Sequence, residues 1–406
     1  MDRHQSKGVF DLLLNILFFS CIVSIYCFDA MASLVIYEII IIVLFCFFFA
    51  IYAFCENVHF SYTFAKYTLP FVVYCFLSCI WSYDRSVSYH RALTVLEVCV
   101  FSNFLFEYVK LKDKGDFLIN ILILSGTLFS FVVIIYYGGL LSFVNLISFQ
   151  NRVGGDITQV NRIGQSVSFS TILCIFTIFR HPKKILYYFL GLMQLLVLIA
   201  SQSRTALITT AFSSFLMLLF IPQRHKTTLF LSVIVSASFL YYTFSFFETF
   251  ETSSFDRFES LLLAIQDQGG DVSAQRRLEM IDEGFNAFLE HPVLGMGLNT
   301  SGVITSRFLG EAKYLHNNYI EILASLGILG FIIFFYIFYV PVSWIVHSIK
   351  RIESKLVVVI VFSELVMFFG CVSYYVKFHY LYLVLIYALS DKVRSDSHDE
   401  PAQQQD

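Results

Sequence analysis

The chain has 406 residues, of which 57% are hydrophobic and 14% charged, with a mean hydropathy of +0.72. Soluble domains run about 45–50% apolar and about 25% charged, so a soluble enzyme, a single-span receptor and a nucleic-acid binder are excluded. The apolar residues run in stretches of roughly twenty, the length a membrane helix needs, rather than alternating as in a membrane barrel. The net charge of −3 says little, because the side on which charges fall matters more than their sum.

In chain order, apolar spans are expected near 9–28, 32–54, 64–81, 91–109, 117–137, 163–179, 185–201, 204–221, 228–247, 317–345, 356–375 and 378–390. The fold class is therefore all-α, a polytopic integral membrane protein of about 12 transmembrane helices. Ala30-Met31-Ala32 after the first run mimics a signal-peptide cleavage site, but the run is long and a second follows at once, so an uncleaved span is expected. The nine cysteines fall almost entirely inside apolar runs, without metal-ligand spacing. No phosphate-binding loop, dinucleotide fingerprint or zinc motif is present, so neither a cofactor nor a metal is expected.

An even number of spans places both termini on one side. The lysine and arginine count agrees, with sixteen cations on the side of the termini and eleven on the other. Of the sixteen, eleven are lysine; of the eleven outer cations, nine are arginine. Topology alone gives no reason for that bias, whereas guanidinium forks suit carboxylate and phosphate oxygens. The bias points to an anionic, phosphate-bearing ligand at the outer face.

One connection is long, residues 248–316 on the outer side, which separates helices over 1–247 from helices over 317–390; a polar tail, 391–406, is expected to be disordered. Two short helices are expected in the loop, one from Ser253 or Ser254 to about Ile265 and one over Ala274–Leu289. Leu278, Ile281, Phe285, Phe288 and Leu289 share one face of the second, which is expected to bury them on the membrane surface or the span ends. That helix opens on Arg276 and Arg277, against its own macrodipole, where an anion would gain from guanidinium groups and free amides together. Arg204 sits in the turn Ser201-Gln202-Ser203-Arg204 between two spans, a costly place unless it is paired or lines a wet cavity. His316 and Asn317 stand where the loop re-enters the membrane, ahead of Ala324, Gly327 and Gly330, small residues expected to permit close helix contact. An imidazole there suits a general base or a proton-sharing group near neutral pH. Asn161 and Arg162, at the start of the sixth span, could bind sugar hydroxyls or phosphate, and Trp81-Ser82-Tyr83-Asp84-Arg85 is a further outer polar segment. Glu97, Glu107 and Glu364 lie within or near spans as candidate buried pairs without an assigned task.

His316-Asn317 followed by Gly327 and Gly330 resembles the signature of the bacterial O-antigen ligase and polymerase superfamily, GT-C-like membrane transferases of lipid-linked glycans. Ser203-Arg204-Thr205-Ala206, Arg277-Leu278-Glu279 and His291-Pro292-Val293-Leu294-Gly295-Met296-Gly297 resemble it in the same order, so the likeness covers roughly residues 200 to 335, with Trp81-Ser82 and Asn161 extending it weakly. The resemblance implies a metal-independent glycosyltransferase of the bacterial inner membrane, with cytoplasmic termini and a periplasmic site. It implies a donor glycan on undecaprenyl pyrophosphate, moved en bloc to a sugar hydroxyl. For a ligase the acceptor is lipid A-core in lipopolysaccharide biosynthesis; for a polymerase it is a second lipid-linked repeat unit. On this reading His316, Arg204 and Arg277 carry catalysis, while Arg276, Asn317, Asn161 and Arg162 bind substrate. A lipid-linked glycan flippase or transporter is the competing class; it would place its site near the midplane between repeats, which the clustering of polar residues on one face disfavours.

Overall fold

The computed structural model describes residues 3–27, 34–148, 153, 160–220 and 272–399, and those residues are helical with short connections. In chain order the helices are α1 (Arg3–Cys27), α2 (Val35–Cys55), α3 (Thr63–Ser78), α4 (Arg85–Leu111), α5 (Gly115–Tyr136), α6 (Leu140–Ser148) and α7 (Val160–Arg180). They continue as α8 (Ile185–Ala200), α9 (Arg204–Phe220), α10 (Val272–Glu290), α11 (Ser301–Leu309), α12 (Asn318–Ile345), α13 (Ile352–Met367) and α14 (Lys377–Asp399). The span expected at 228–247 and the loop helix expected at 253–265 lie outside the described residues.

Among the described residues six helices are long and apolar enough to cross a membrane: Gly8–Cys27, Val35–Cys55, Arg85–Leu111, Gly115–Tyr136, Asn161–Arg180 and Asn318–Ser348. Ile185–Ala200 and Arg204–Phe220 are shorter apolar helices. Large apolar side chains stay exposed along α2, among them Ile36, Ile40, Val43, Phe47 and Phe54. A continuous apolar surface of this kind is untenable in water and natural in lipid. The protein is a multi-pass helical membrane protein.

The chain divides into two compact units. Unit 1 comprises Met1–Ile25, Ile36–Ile119 and Arg277–Asp406. In it α3 packs on α4 and α12, and α14 packs on α4, α12 and α13. Tyr387 of α14 is fully buried at their centre, donating to the Ile337 carbonyl at 2.9 Å, with Phe64, Phe106 and Trp344 against its ring. Unit 2 comprises Tyr26–Val35 and Asn120–Arg276, where α7 packs on α8 and α9. Its helices close on small residues: a Cβ at Gly126 would collide with Ser170. The buried amide of Gln194 donates to the Ile123 carbonyl at 2.9 Å and the Thr127 hydroxyl at 2.7 Å.

Four features depart from the expected layout. Helix α6 follows α5 as a nine-residue helix, and α11 occupies the long loop. Helix α13 stops at Met367 instead of continuing to 375. The chain after it turns so that the Phe368 carbonyl accepts the Asn318 amide at 2.8 Å, while the Ser373 amide donates to Asn318 Oδ1 at 2.9 Å. Helix α14 runs past 390 to Asp399. Asp391 there bonds Lys110 at 2.7 Å and Arg394 at 2.5 Å, which holds as helix a stretch whose composition reads as tail.

Candidate active site at the His316 loop

The site in unit 1 is built on a helix that breaks. Gly327 sits inside α12 at φ 65°, ψ −170°, so the carbonyls before it and the amides after it lose their helical partners. The segment His291–Gly297 supplies new ones. The Met296 and Gly297 amides donate to the Ala324 and Ser325 carbonyls at 2.9 and 2.8 Å. In return the Ile328 and Leu329 amides donate to the Pro292 and Val293 carbonyls at 2.9 and 3.4 Å. The Tyr74 hydroxyl satisfies the Leu326 carbonyl at 3.0 Å. Backbones this close leave no room for side chains. A Cβ at Gly327 would fall on the Val293 backbone, and one at Gly295, itself at φ +69°, on the Ser325 backbone. Gly327 is therefore not the helix-contact residue the small-residue pattern suggests; it makes the break. Gly330 does fit that pattern, with the Tyr74 ring where its Cβ would be.

The Trp81 segment is part of the same knot. Trp81 Nε1 donates to the Leu294 carbonyl at 3.2 Å, the Tyr83 amide donates to the Met296 carbonyl at 3.1 Å, and the Tyr83 hydroxyl lies 3.0 Å from His291 Nε2. Gly297, at φ +105°, packs flat on Ser82.

His316 precedes α12 at φ +56°, a conformation that is uncommon for a residue with a Cβ. Both flanks hold it there. The Leu315 amide donates to the buried carboxylate of Glu321 at 3.0 Å. Asn317 caps the helix, its Oδ1 accepting the Tyr319 and Ile320 amides at 3.0 and 3.1 Å. The imidazole lies 4.1 Å, centroid to centroid, from the Tyr314 ring. Asn317 is thus buried as a cap, its carbonyl oxygen taken up by the two helix amides.

Helix α10 matches the expected one closely, and within unit 1 it packs through a second face. Met280, Gly284 and Ala287 point inward, while Leu278, Phe285 and Leu289 are exposed. At Gly284 a Cβ would press into Leu315 and Ile320, the residues bracketing His316 and Asn317. Arg277 stands two turns earlier on that same face, half-buried; Arg276, about a quarter-turn away, is exposed. Burial, then the Arg277 and Lys313 charges, hold the His316 pKa down at about 4. His316 is therefore a neutral imidazole at physiological pH, with one nitrogen free of its proton.

Unit 2 gathers a second set. Arg204 opens α9, half-buried, after the buried turn Ser201–Ser203, in which Gln202 has φ +49°. That turn packs on Gly164 of α7, where a Cβ would lie 2.6 Å from the Ser201 hydroxyl and the Ser203 Cβ. Asn161, one turn before Gly164, and Arg162 thereby come to the same end of the unit as Arg204. The three carboxylates resolve separately. Glu107 accepts the Ser61 and Tyr62 amides and the Ser61 hydroxyl at 2.7–3.0 Å, holding the chain that enters α3. Glu364 pairs with His379 at 2.6 Å, and Glu97 is exposed on α4.

Two residues of the unit 1 site carry no expected role. Glu321 props the His316 loop; its signal was a carboxylate one turn after the helix cap. Arg91 of α4 stacks on Tyr375, its guanidinium carbon 3.6 Å from the ring centroid, within electrostatic reach of Glu321. Nothing in its own segment distinguishes it from an interfacial cation.

Unit 1 of this membrane protein thus fixes a neutral histidine beside a half-buried arginine, on a scaffold of motif glycines. Residues 189–335 match the O-antigen ligase family, a segment running from α8 into α12. That segment supports a likeness to the O-antigen ligase and polymerase superfamily. No curated protein matches it.

Proposed function

We propose that this protein is a metal-independent glycosyltransferase of the bacterial inner membrane. Its substrate is a glycan on undecaprenyl pyrophosphate, which it transfers en bloc to a sugar hydroxyl at the periplasmic face, as an O-antigen ligase acting on lipid A-core. The reading includes about 12 spans with both termini in the cytoplasm. The observation that carries it is the convergence of the His316 loop, Arg277 and the His291–Gly297 segment on one broken helix, inside a segment matching the O-antigen ligase family.

In the reaction the acceptor hydroxyl oxygen forms a bond to the sugar's anomeric carbon, and the bond from that carbon to the pyrophosphate oxygen breaks. The leaving lipid pyrophosphate takes the electron pair. Arg277 offsets that developing charge, and Arg204 is the second guanidinium assigned to it, with Arg276, Asn161 and Arg162 assisting in binding. Each such fixed donor is worth about 2–4 kcal/mol in the transition state. His316, neutral when the site is empty, accepts the hydroxyl proton. A diphosphate bound beside Arg277 cancels part of the repulsion that depresses His316, so donor binding raises its basicity when a base is needed.

Deletion of the gene followed by lipopolysaccharide gel analysis tests the reading. Core without O-chain, with polymer still on the carrier lipid, is the expected result. Core bearing a single repeat unit would reassign the protein as a polymerase. Purified protein that leaves lipid-linked glycan and lipid A-core unreacted in detergent would sink both enzyme readings in favour of transport.

A further inference from the structure

Arg91 is placed like a ligand-binding group rather than a structural one. It lies on the same side of α4 as Ser88, three residues earlier, whose hydroxyl donates to the Leu298 carbonyl at 2.5 Å. That side of α4 therefore meets the turn leading from Gly297 to Ser301, and Ser301 lies beside Glu321. The Tyr375 ring supports the guanidinium plane from the segment that also clamps Asn318 through Ser373. Arg91 is thus enclosed by three elements that shape the His316 loop. Its charge lies over the Tyr375 ring and within reach of Glu321. Among the described residues it has no ion pair and no hydrogen bond, and its Nε is buried without a partner. Glu321 Oε2 accepts the Leu315 amide, and its Oε1 is buried without a hydrogen-bond partner, so Arg91 acts on it through charge and not through a hydrogen bond. A buried, unbonded donor is costly, and a guanidinium held flat on a ring leaves its hydrogen-bonding edges available for oxyanions.

We propose that Arg91 is a further substrate-binding residue, which holds an oxyanion of the lipid-linked donor or of the phosphorylated acceptor next to the His316 loop. The inference rests on the transferase reading above. The competing role is charge compensation for Glu321, and the two are separable by experiment.

Full-length protein in detergent is titrated with inorganic pyrophosphate, and transfer kinetics are measured with donor and acceptor varied in turn. R91Q is expected to weaken pyrophosphate binding roughly tenfold or more, the worth of a charge-assisted hydrogen bond, or, if the acceptor phosphate is the ligand, to raise KM for the acceptor alone. The double variant R91Q/E321Q decides between the roles: a ligand stays lost, whereas restoration of wild-type binding and kinetics would overturn the proposal in favour of compensation. R91K keeps the charge but not the fork; several-fold weaker binding at an unchanged melting temperature supports the proposal even if R91Q fails to fold, and wild-type behaviour in R91K overturns it. R277Q is the control. A defect in R277Q with wild-type R91Q removes Arg91 from the site alone, while wild-type behaviour of both also removes the arginine assignment on which the transferase reading draws.

Discussion

The two ends of helix α4 are tied to the rest of unit 1 by opposite means. At the Arg85 end the ties are hydrogen bonds to carbonyls: the Tyr83 amide and the Trp81 and Ser88 side chains bond the carbonyls of Met296, Leu294 and Leu298, in or next to a segment that four amide–carbonyl bonds stitch into the break of α12. At the Leu111 end the ties are ion pairs, Lys110 and Arg394 on Asp391 and Lys392 on Asp113, with Arg394 also over Trp344 at 4.1 Å. A cavity of about 630 Å³ opens there, but Lys110, Lys392 and Arg394 in its lining are already held by those aspartates. The difference has a functional meaning. Hydrogen bonds to carbonyls fix positions without spending charged side chains, so Arg91 at that end has no hydrogen bond or ion pair among the described residues, whereas ion pairs spend theirs.

The largest effect should come from breaking the backbone tie itself. Gly327→Ala puts a Cβ into the Val293 backbone at a φ of +65°. Neither backbone can give way without losing its bonds, so the cost should reach several kcal/mol. Loss of monodisperse protein after purification is the expected observation. Recovery of stable, active protein would mean the break is dispensable.

The side chains proposed to carry the reaction should behave in the reverse way, costing activity and not stability. Arg277→Ala and His316→Ala are each expected to lower kcat by about 10²–10³-fold, with melting temperatures in detergent close to wild type. Arg204→Ala is expected to fall in the same range. A melting-temperature loss that tracks the activity loss would make these residues part of the scaffold.

A smaller effect follows from charge. His316 is held at about pH 4 by burial first and by Arg277 second. The neutral form is the active one, so kcat/KM, which reports the free enzyme, should fall only as pH drops toward 4. Removing the Arg277 charge favours the imidazolium, so Arg277→Gln should move that acidic limb upward, while burial keeps it below the ordinary histidine value. In stability terms the depressed pKa makes folding less favourable as pH falls below about 6.5, the unfolded histidine taking up its proton first. A limb that stays put in Arg277→Gln would separate the two residues.

How much of this was legible depends on what kind of contact made each feature. The apolar runs of α1, α2, α4, α5, α7 and α12 announce themselves, because burial in lipid needs only length and composition. The extent of α10 was legible from its 3.6-residue period, but the packing of Gly284 on Leu315 and Ile320 was not. Its apolar residues outnumber what Gly284 and Ala287 can bury, and the pattern cannot tell a core-facing stripe from one left exposed. His316, Arg277 and Asn317 could be singled out as polar residues at costly positions. The role of Gly327 could not, since a break in a helix and a close helix contact ask for the same residue. Arg91 was hidden for a different reason: its meaning comes from Tyr375 and Glu321, more than two hundred residues away in sequence, and no local pattern encodes that.

The ion-paired end should prove the least sensitive of all. Lys392 and Asp113 are largely exposed, so water screens their 2.8 Å pair and both side chains give up rotamer freedom to form it. Lys392→Ala should therefore cost at most about 1 kcal/mol, less in high salt. Asp391→Ala should cost more, because that carboxylate is buried between two cations and its loss leaves Lys110 and Arg394 facing each other. Thermal melts of both variants at low and high salt would show the ordering. If Lys392→Ala instead lowered transfer activity at unchanged stability, the charges around that cavity would be engaged in function, and the contrast between the two ends of α4 would not hold.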